Sequence, residues 1–125
     1  MNALTLALAG AALALFAPQV RAAGTYTPGE PVRETFKDFA RPFLEQHCFD
    51  CHDDDTKKGD LSLHDLGEVD ETNASLWKSI WAQVALQEMP PKKKSRVDIV
   101  GRLRFSDWIV GELQRAMKDK GGFHA

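Results

Sequence analysis

The sequence has few cysteines and no excess of positive charge. Its 125 residues include two cysteines and one tyrosine, and 16 basic residues stand against 18 acidic ones, for a formal net charge of −2. Proteins that bind nucleic acids are normally basic overall, so the charge disfavours that class of partner. Two cysteines are too few for a disulfide-rich scaffold, and the length allows one domain at most.

Charge is also missing from the beginning of the chain. Leu4 to Phe16 contains no charged residue, and Val20 and Ala22 are small residues at positions −3 and −1 of a cleavage point after Ala22. This pattern predicts a secretory signal peptide over residues 1–22 and a periplasmic protein, although no lysine or arginine precedes the apolar run. A membrane anchor that stays uncleaved is the alternative. The run is shorter than the roughly 20 residues that span a bilayer, so we expect no membrane span in the mature form.

Beyond the signal segment, the sequence shows no period-two runs typical of strands and no internal repeat. We therefore predict an all-α fold of three or four helices. Residues 23–31, with their prolines and glycines, are interpreted as an N-terminal arm, residues 32–120 as the domain and residues 121–125 as a tail.

Helical spacing of apolar residues predicts where the helices lie. The stripe of Phe36, Phe39, Phe43 and Leu44 predicts a first helix, in which Pro42 either makes a kink or opens a new helix. Later elements are predicted from their capping residues. Ser75 is expected to be the N-cap of the helix that follows it. Ser95 and Asp98 are expected to form a capping box at the start of the last helix, and Gly121-Gly122 is expected to end that helix. Between them, the alternating Leu61 and Leu63 fit either a short strand or a loop that its leucines anchor.

Both cysteines lie in one short motif, Cys48-Phe49-Asp50-Cys51-His52. The spacing C-x-x-C-H is the attachment signature of c-type haem. Two thiols three positions apart on a helical turn reach the two vinyl groups of one porphyrin, and the next imidazole then becomes the proximal iron ligand. The motif predicts one covalent haem c per chain, attached at Cys48 and Cys51 and ligated by His52.

Three other readings of the cysteine pair stay open at this point. A thioredoxin-like redox pair expects a βαβ setting, which the sequence does not show. A zinc site lacks a second cysteine pair, and a disulfide is conceivable in an exported protein.

Met89 is the best candidate for the second axial ligand. Pro90 and Pro91 follow it and restrict the backbone, which suits a thioether that must be held opposite His52. The alternative is a purely structural role for Met89, as a buried methionine at the end of a helix. Other candidates are weaker: Met117 fits the core stripe of the last helix, His47 is tethered on the proximal side, His64 would give bis-histidine ligation, and His124 lies in the tail.

Together these motifs resemble the small monohaem class I cytochromes c, and most closely the cytochrome c domain of planctomycetes. The segments that carry the resemblance cover roughly Val32 to Val110: Arg41-Pro42, the haem motif, Lys58-Gly59, Leu61-Ser62-Leu63, Met89-Pro90-Pro91 and Trp108-Ile109. The resemblance implies a cytochrome c-like fold of three to four helices and haem iron between His52 and Met89. The sequence departs from the pattern of this family at two points. Asp60 replaces a second glycine, and no proline occurs between His52 and Pro90, so the hydrogen-bond partner of the His52 imidazole is not predicted.

Haem would form a large part of the core of so short a chain. We therefore expect the apoprotein to be largely unfolded. The candidates to pack on or beside the porphyrin are Phe39, Phe43, Leu61, Leu63, Trp81, Val84 and Leu103.

Charge is distributed unevenly along the chain. Residues 50–71 hold nine acids and two lysines, whereas residues 78–104 hold seven bases and two acids. Lys92, Lys93, Lys94 and Arg96 directly follow the Met89 motif, and a positive surface there would steer an acidic redox partner. A solvated loop without a docking role is the equally acceptable alternative.

These observations predict a carrier of single electrons rather than an enzyme, because no carboxylate pair and no nucleophile–base set is visible. One alternative is a haem-binding enzyme or sensor with an open or weakly ligated iron. Another is a cytochrome subunit permanently docked on a dehydrogenase or oxidase.

Overall fold

The computed structural model describes residues 25–120. The predicted signal peptide, the tail with Gly121-Gly122, and His124 lie outside the described residues. A π-helical turn, Phe36–Ala40, leads into α1 (Arg41–His47) and α2 (Phe49–His52), and a 3-10 turn follows at Lys58–Asp60. Two longer helices complete the fold, α3 (Ala74–Ala85) and α4 (Ile99–Lys118). No strand occurs within residues 25–120, so the all-α prediction is confirmed.

Pro42 lies in the first turn of α1, directly after the π-helical turn. An amide at that position has no partner inside the helix, so proline costs nothing there. Of the two roles predicted for Pro42, the structure shows the opening of a new helix. Thr35 caps the π-helical turn by accepting a hydrogen bond from the Asp38 amide at 3.1 Å.

The caps predicted for the two long helices are wrong. The N-cap of α3 is Asn73, and Ser75 lies exposed in the first turn. The helix is preceded by a turn in which the Asp70 carboxylate accepts the Thr72 and Asn73 amides. The N-cap of α4 is Asp98, whose carboxylate accepts the Gly101 amide at 2.6 Å.

The segment with Leu61 and Leu63 is a loop, not a strand. Leu63 is buried and its amide donates to the His52 carbonyl oxygen at 2.7 Å. The loop is therefore anchored by a leucine, which was one of the two predicted forms, and it is fixed to the end of α2.

The core lies where α3 and α4 pack against the N-terminal helical segment. Trp77, Phe105 and Trp108 are fully buried, and the Trp77 and Trp108 rings meet edge to face at 5.4 Å. Buried indole N–H groups need acceptors. Trp108 donates to the Glu34 carbonyl at 2.8 Å and Trp77 to the Gly67 carbonyl at 3.3 Å.

The predicted N-terminal arm is held against α4. The Tyr26 hydroxyl donates to the Asp107 carboxylate at 2.5 Å, and the Gly29 amide donates to the same oxygen at 2.8 Å. Partial burial and the Asp107 carboxylate raise the pKa of Tyr26 to about 12. Within the described residues, no helix has the length and apolar character needed to cross a membrane.

Candidate functional site

The junction of α1 and α2 positions the cysteine–histidine motif. The Cys48 amide closes α1 by donating to the Leu44 carbonyl at 2.8 Å. The Cys48 carbonyl then accepts the amides of Cys51 at 3.2 Å and His52 at 3.0 Å, which forms the turn of α2. This turn places Cys48, Cys51 and His52 along one cavity. Both cysteines are free and half-buried, and burial raises the pKa of the Cys48 thiol to about 12.

The His52 ring has a backbone partner. Its Nδ1 lies 3.3 Å from the Leu61 carbonyl oxygen, so an Nδ1–H donates to that oxygen. A carbonyl in this position fixes the tautomer and the orientation of the ring, and it leaves Nε2 free to ligate a metal. Leu61 thus supplies the partner that could not be predicted from the sequence.

The loop that carries Leu61 turns back through three residues in the left-handed region. Lys57 has φ 41°, Gly59 has φ 67° and Asp60 has φ 57°. Asp60, the residue that replaces a second glycine, adopts the conformation that glycine favours, and aspartate tolerates it better than most side chains. The departure from the family pattern is therefore compatible with the turn.

Met89 is held by the end of α3 and by a residue of α4. The amides of Glu88 and Met89 both donate to the Gln83 carbonyl, at 2.9 and 3.0 Å. The Met89 carbonyl accepts Nη1 of Arg102 at 2.8 Å, and the same nitrogen lies 3.2 Å from the Val84 carbonyl oxygen. These contacts fix the backbone on both sides of the methionine.

Cys48, His52 and Met89 line two cavities, one of about 390 Å³ and one of about 270 Å³. Cys51 and the exposed rim residues Lys58, Gly59 and Lys94 line the larger one. The smaller one has an apolar wall, which consists of Leu61, Leu63, Leu76, Ile80 and Val84. We call the two together the cysteine–histidine–methionine cavity, because all three residue types face it.

The residues present fit a haem. The thiols are free and belong to residues that line the cavity, and the His52 imidazole has its Nδ1 occupied and its Nε2 available. Met89 lines the same cavity from the loop after α3. The apolar wall suits a porphyrin face, and the open side suits charged substituents.

A zinc site fits less well. Among the described residues, the ligand atoms of Asp54, His64 and Asp65 form the one group that converges tightly enough to hold an ion, and that group is exposed. The two thiols and the His52 imidazole do not converge in this way, so they are not arranged around a single ion.

The other predicted ligands and contacts lie in several places. His64 is exposed with Nδ1 3.1 Å from an Asp54 oxygen, and it lines neither cavity. Met117 is 46% exposed, so its prediction as a core residue is wrong. Of the predicted porphyrin contacts, Leu61, Leu63 and Val84 line the cavity, whereas Phe39 and Phe43 pack on Phe105. Trp81 and Leu103 are each 40% exposed and line neither cavity.

His47 connects the cysteine–histidine motif to the basic loop, residues 92–96, which carries Lys92, Lys93, Lys94 and Arg96. Its Nδ1 lies 2.6 Å from the Ser95 hydroxyl, and both residues line the larger cavity. Burial, followed by the positive charge of Arg102, lowers the pKa of His47. The contact explains why Ser95 is not a helix cap, and neither residue's role was apparent from the sequence.

Residues 48–93 match a family model described as planctomycete cytochrome C. No curated protein and no solved structure matches the chain. The matched segment begins at Cys48 and includes Cys51, His52 and Met89, so it contains most of the residues that line the cavity. The resemblance found in the sequence is confirmed over this segment, and the match indicates a haem-binding protein of electron transfer.

Proposed function

We propose that this protein is a periplasmic carrier of single electrons with one haem c. Cys48 and Cys51 would hold the haem through thioether bonds, and His52 and Met89 would ligate its iron. The observation that supports this most directly is that His52, at the end of α2, and Met89, in the loop after α3, line the same cavities beside Cys48.

Each of these side chains has a definite task in the proposal. The bound haem supplies a one-electron iron couple. The Leu61 carbonyl orients the His52 ring and so supports its binding to the iron. Methionine as the second ligand raises the reduction potential, which suits electron transfer rather than oxygen chemistry. The apolar wall of the smaller cavity disfavours water next to the haem face.

The spectrum of the exported protein tests this assignment. A pyridine haemochrome should identify haem c with two thioether bonds. The ferric protein should show the weak long-wavelength charge-transfer band of methionine-ligated iron. Met89→Ala should abolish the band, whereas Met117→Ala, which changes a methionine on the surface of α4, should retain it.

The same measurement addresses the alternative of an enzyme or sensor with an open iron. If the wild-type ferric protein lacks the charge-transfer band and the ferrous protein binds CO readily, methionine ligation is wrong and the alternative is favoured. A permanently docked subunit would instead co-elute with a dehydrogenase or oxidase in size-exclusion chromatography of the native extract.

For the redox partner we propose docking on the basic loop, residues 92–96. Lys92, Lys93, Lys94 and Arg96 are all exposed, and Lys94 lines the mouth of the larger cavity. A positive surface beside the haem edge would guide an acidic partner to the shortest path for the electron.

The proposed export to the periplasm is tested by the N-terminus of the mature protein. In a periplasmic fraction this N-terminus should be Ala23.

A further inference from the structure

A third cavity, of about 340 Å³, lies next to the cysteine–histidine–methionine cavity, and Ser95 lines both. Its walls contain three cations, Lys92, Arg96 and Arg102, and otherwise only neutral side chains (Gln87, Ser95 and Val97). No acidic residue is among the described residues that line it. We call it the cationic cavity.

Arg102 carries a buried charge at the inner end of this cavity. The residue is only 7% exposed, and its hydrogen bonds to the Val84 and Met89 carbonyls both use Nη1. Within residues 25–120, none of the ion pairs includes Arg102. Asp98, one helical turn earlier, caps α4 instead.

A buried guanidinium without a counter-charge is costly, and the cost falls when an anion is bound. Arginine presents a planar fork of donors that matches the oxygen atoms of phosphate and carboxylate. Lys92 and Arg96 at the exposed side would add attraction without closing the entrance.

We propose that the cationic cavity is a binding site for an oxyanion, a phosphate or carboxylate group, with Arg102 at its base and Lys92 and Arg96 at its rim. The binding of a free anion is independent of the proposed function, whereas a haem carboxylate as the occupant rests on the proposed haem. Any effect of the bound anion on the iron would rest on the proposed function. Such an effect would act through Arg102, which also donates to the carbonyl of Met89, the proposed iron ligand.

The oxyanion has two conceivable sources, a free anion in solution or a carboxylate of the haem itself, since the two cavities adjoin at Ser95. The holoprotein distinguishes them. It is titrated with inorganic phosphate at constant ionic strength, and amide chemical shifts of Ser95 and Val97 are followed together with the heat of binding.

Arg96→Gln removes a rim cation, and Lys93→Gln is its matched control because Lys93 lies in the same exposed loop but outside the cavity lining. If the site takes free anions, phosphate should bind saturably, and R96Q should weaken binding by about tenfold while K93Q changes it little. If a haem carboxylate occupies the site, phosphate should not bind. In that case the carboxylate bands of the redox infrared difference spectrum should shift in R96Q and not in K93Q.

The proposal is overturned if phosphate does not bind and the infrared bands are the same in both variants. It is also overturned if phosphate binds but R96Q and K93Q weaken it equally, or if the infrared bands shift equally in both variants. Neither result depends on the identity of the iron ligands. A failure of methionine ligation would be seen separately in the ferric spectrum.

Discussion

The guanidinium of Arg102 donates from Nη1 to the Met89 carbonyl oxygen at 2.8 Å, and so connects the buried face of α4 to the residue that we propose as an iron ligand. The contact joins residues 13 positions apart. It acts on the backbone of Met89 and not on its thioether, so Arg102 is a positioning residue. The strength with which methionine stays on the iron should therefore depend on α4.

Replacing Arg102 with methionine keeps an unbranched stem and removes the donors to both carbonyl groups. A hydrogen bond from a charged donor contributes about 1.5–3 kcal/mol, so the Met89 segment should open more readily. We expect added imidazole to displace Met89 at concentrations about tenfold lower than in the wild type, as read from the charge-transfer band.

Arg104→Met is the control for this prediction. Arg104 belongs to the same helix, but it pairs with Glu34 and stacks on the Phe39 ring, away from Met89. Imidazole affinity should be unchanged in R104M. Equal affinities in R102M and the wild type would contradict the positioning role.

The second prediction is the loss of the fold without haem. In a Cys48→Ala, Cys51→Ala variant, the apolar wall of the smaller cavity would face water, and a chain this short has only a modest core to compensate for that exposure. We expect no cooperative thermal transition in far-ultraviolet circular dichroism and a weak near-ultraviolet spectrum.

The wild-type chain produced in the cytoplasm without haem attachment serves as the comparison. It retains both thiols, so it separates the effect of missing haem from the effect of the two substitutions. A cooperative transition in both apo forms, close to that of the holoprotein, would show that the helices need no haem.

The third prediction concerns Tyr26 and pH. Its pKa in the folded protein is raised to about 12, above an ordinary value near 10. The sign follows from linkage: the hydrogen bond to Asp107 stabilises the folded state fully below about pH 10 and is lost as the pH rises through about 12. Tyr26 is the one tyrosine of the chain, so tyrosinate absorbance reports it alone.

At pH 11 the phenol should be mostly protonated in the wild type and substantially ionised in Asp107→Asn, because the carboxylate is one cause of the raised pKa. Asp65→Asn changes a carboxylate that is 98% exposed and distant in sequence, and it should leave the titration unchanged. An identical midpoint in D107N and the wild type would show that the arm is not held by this contact.

The sequence was informative where a function is encoded in consecutive residues. C-x-x-C-H and Met-Pro-Pro are local motifs, and helical spacing sufficed for the all-α class. The hydrogen-bond partner of His52 could not be predicted, because a backbone carbonyl is not specified by its side chain and Leu61 resembles any loop leucine.

The capping errors have a similar cause. Ser95 and Asp98 have the spacing of a capping box, but the Ser95 hydroxyl binds His47, 48 positions earlier, and α4 begins after Asp98. Arg102 looks like one more residue of the basic half of the chain until the fold places it inside. Trp81 and Leu103 were expected to pack on the porphyrin because they are apolar helix residues, but each is 40% exposed.

The last prediction tests the basic loop as the docking surface. Lys93→Glu with Lys94→Glu reverses two charges of the loop and changes none of the residues that line the cationic cavity. An acidic redox partner should then reduce or oxidise the protein more slowly at low salt, and the dependence of the rate on ionic strength should become weaker.

The matched control is Lys37→Glu with Lys118→Glu, which reverses two exposed charges on other elements and has the same net charge as the loop variant. Stopped-flow rates across a range of ionic strength decide the question, because a loop with no docking role would give the same curve in both double variants.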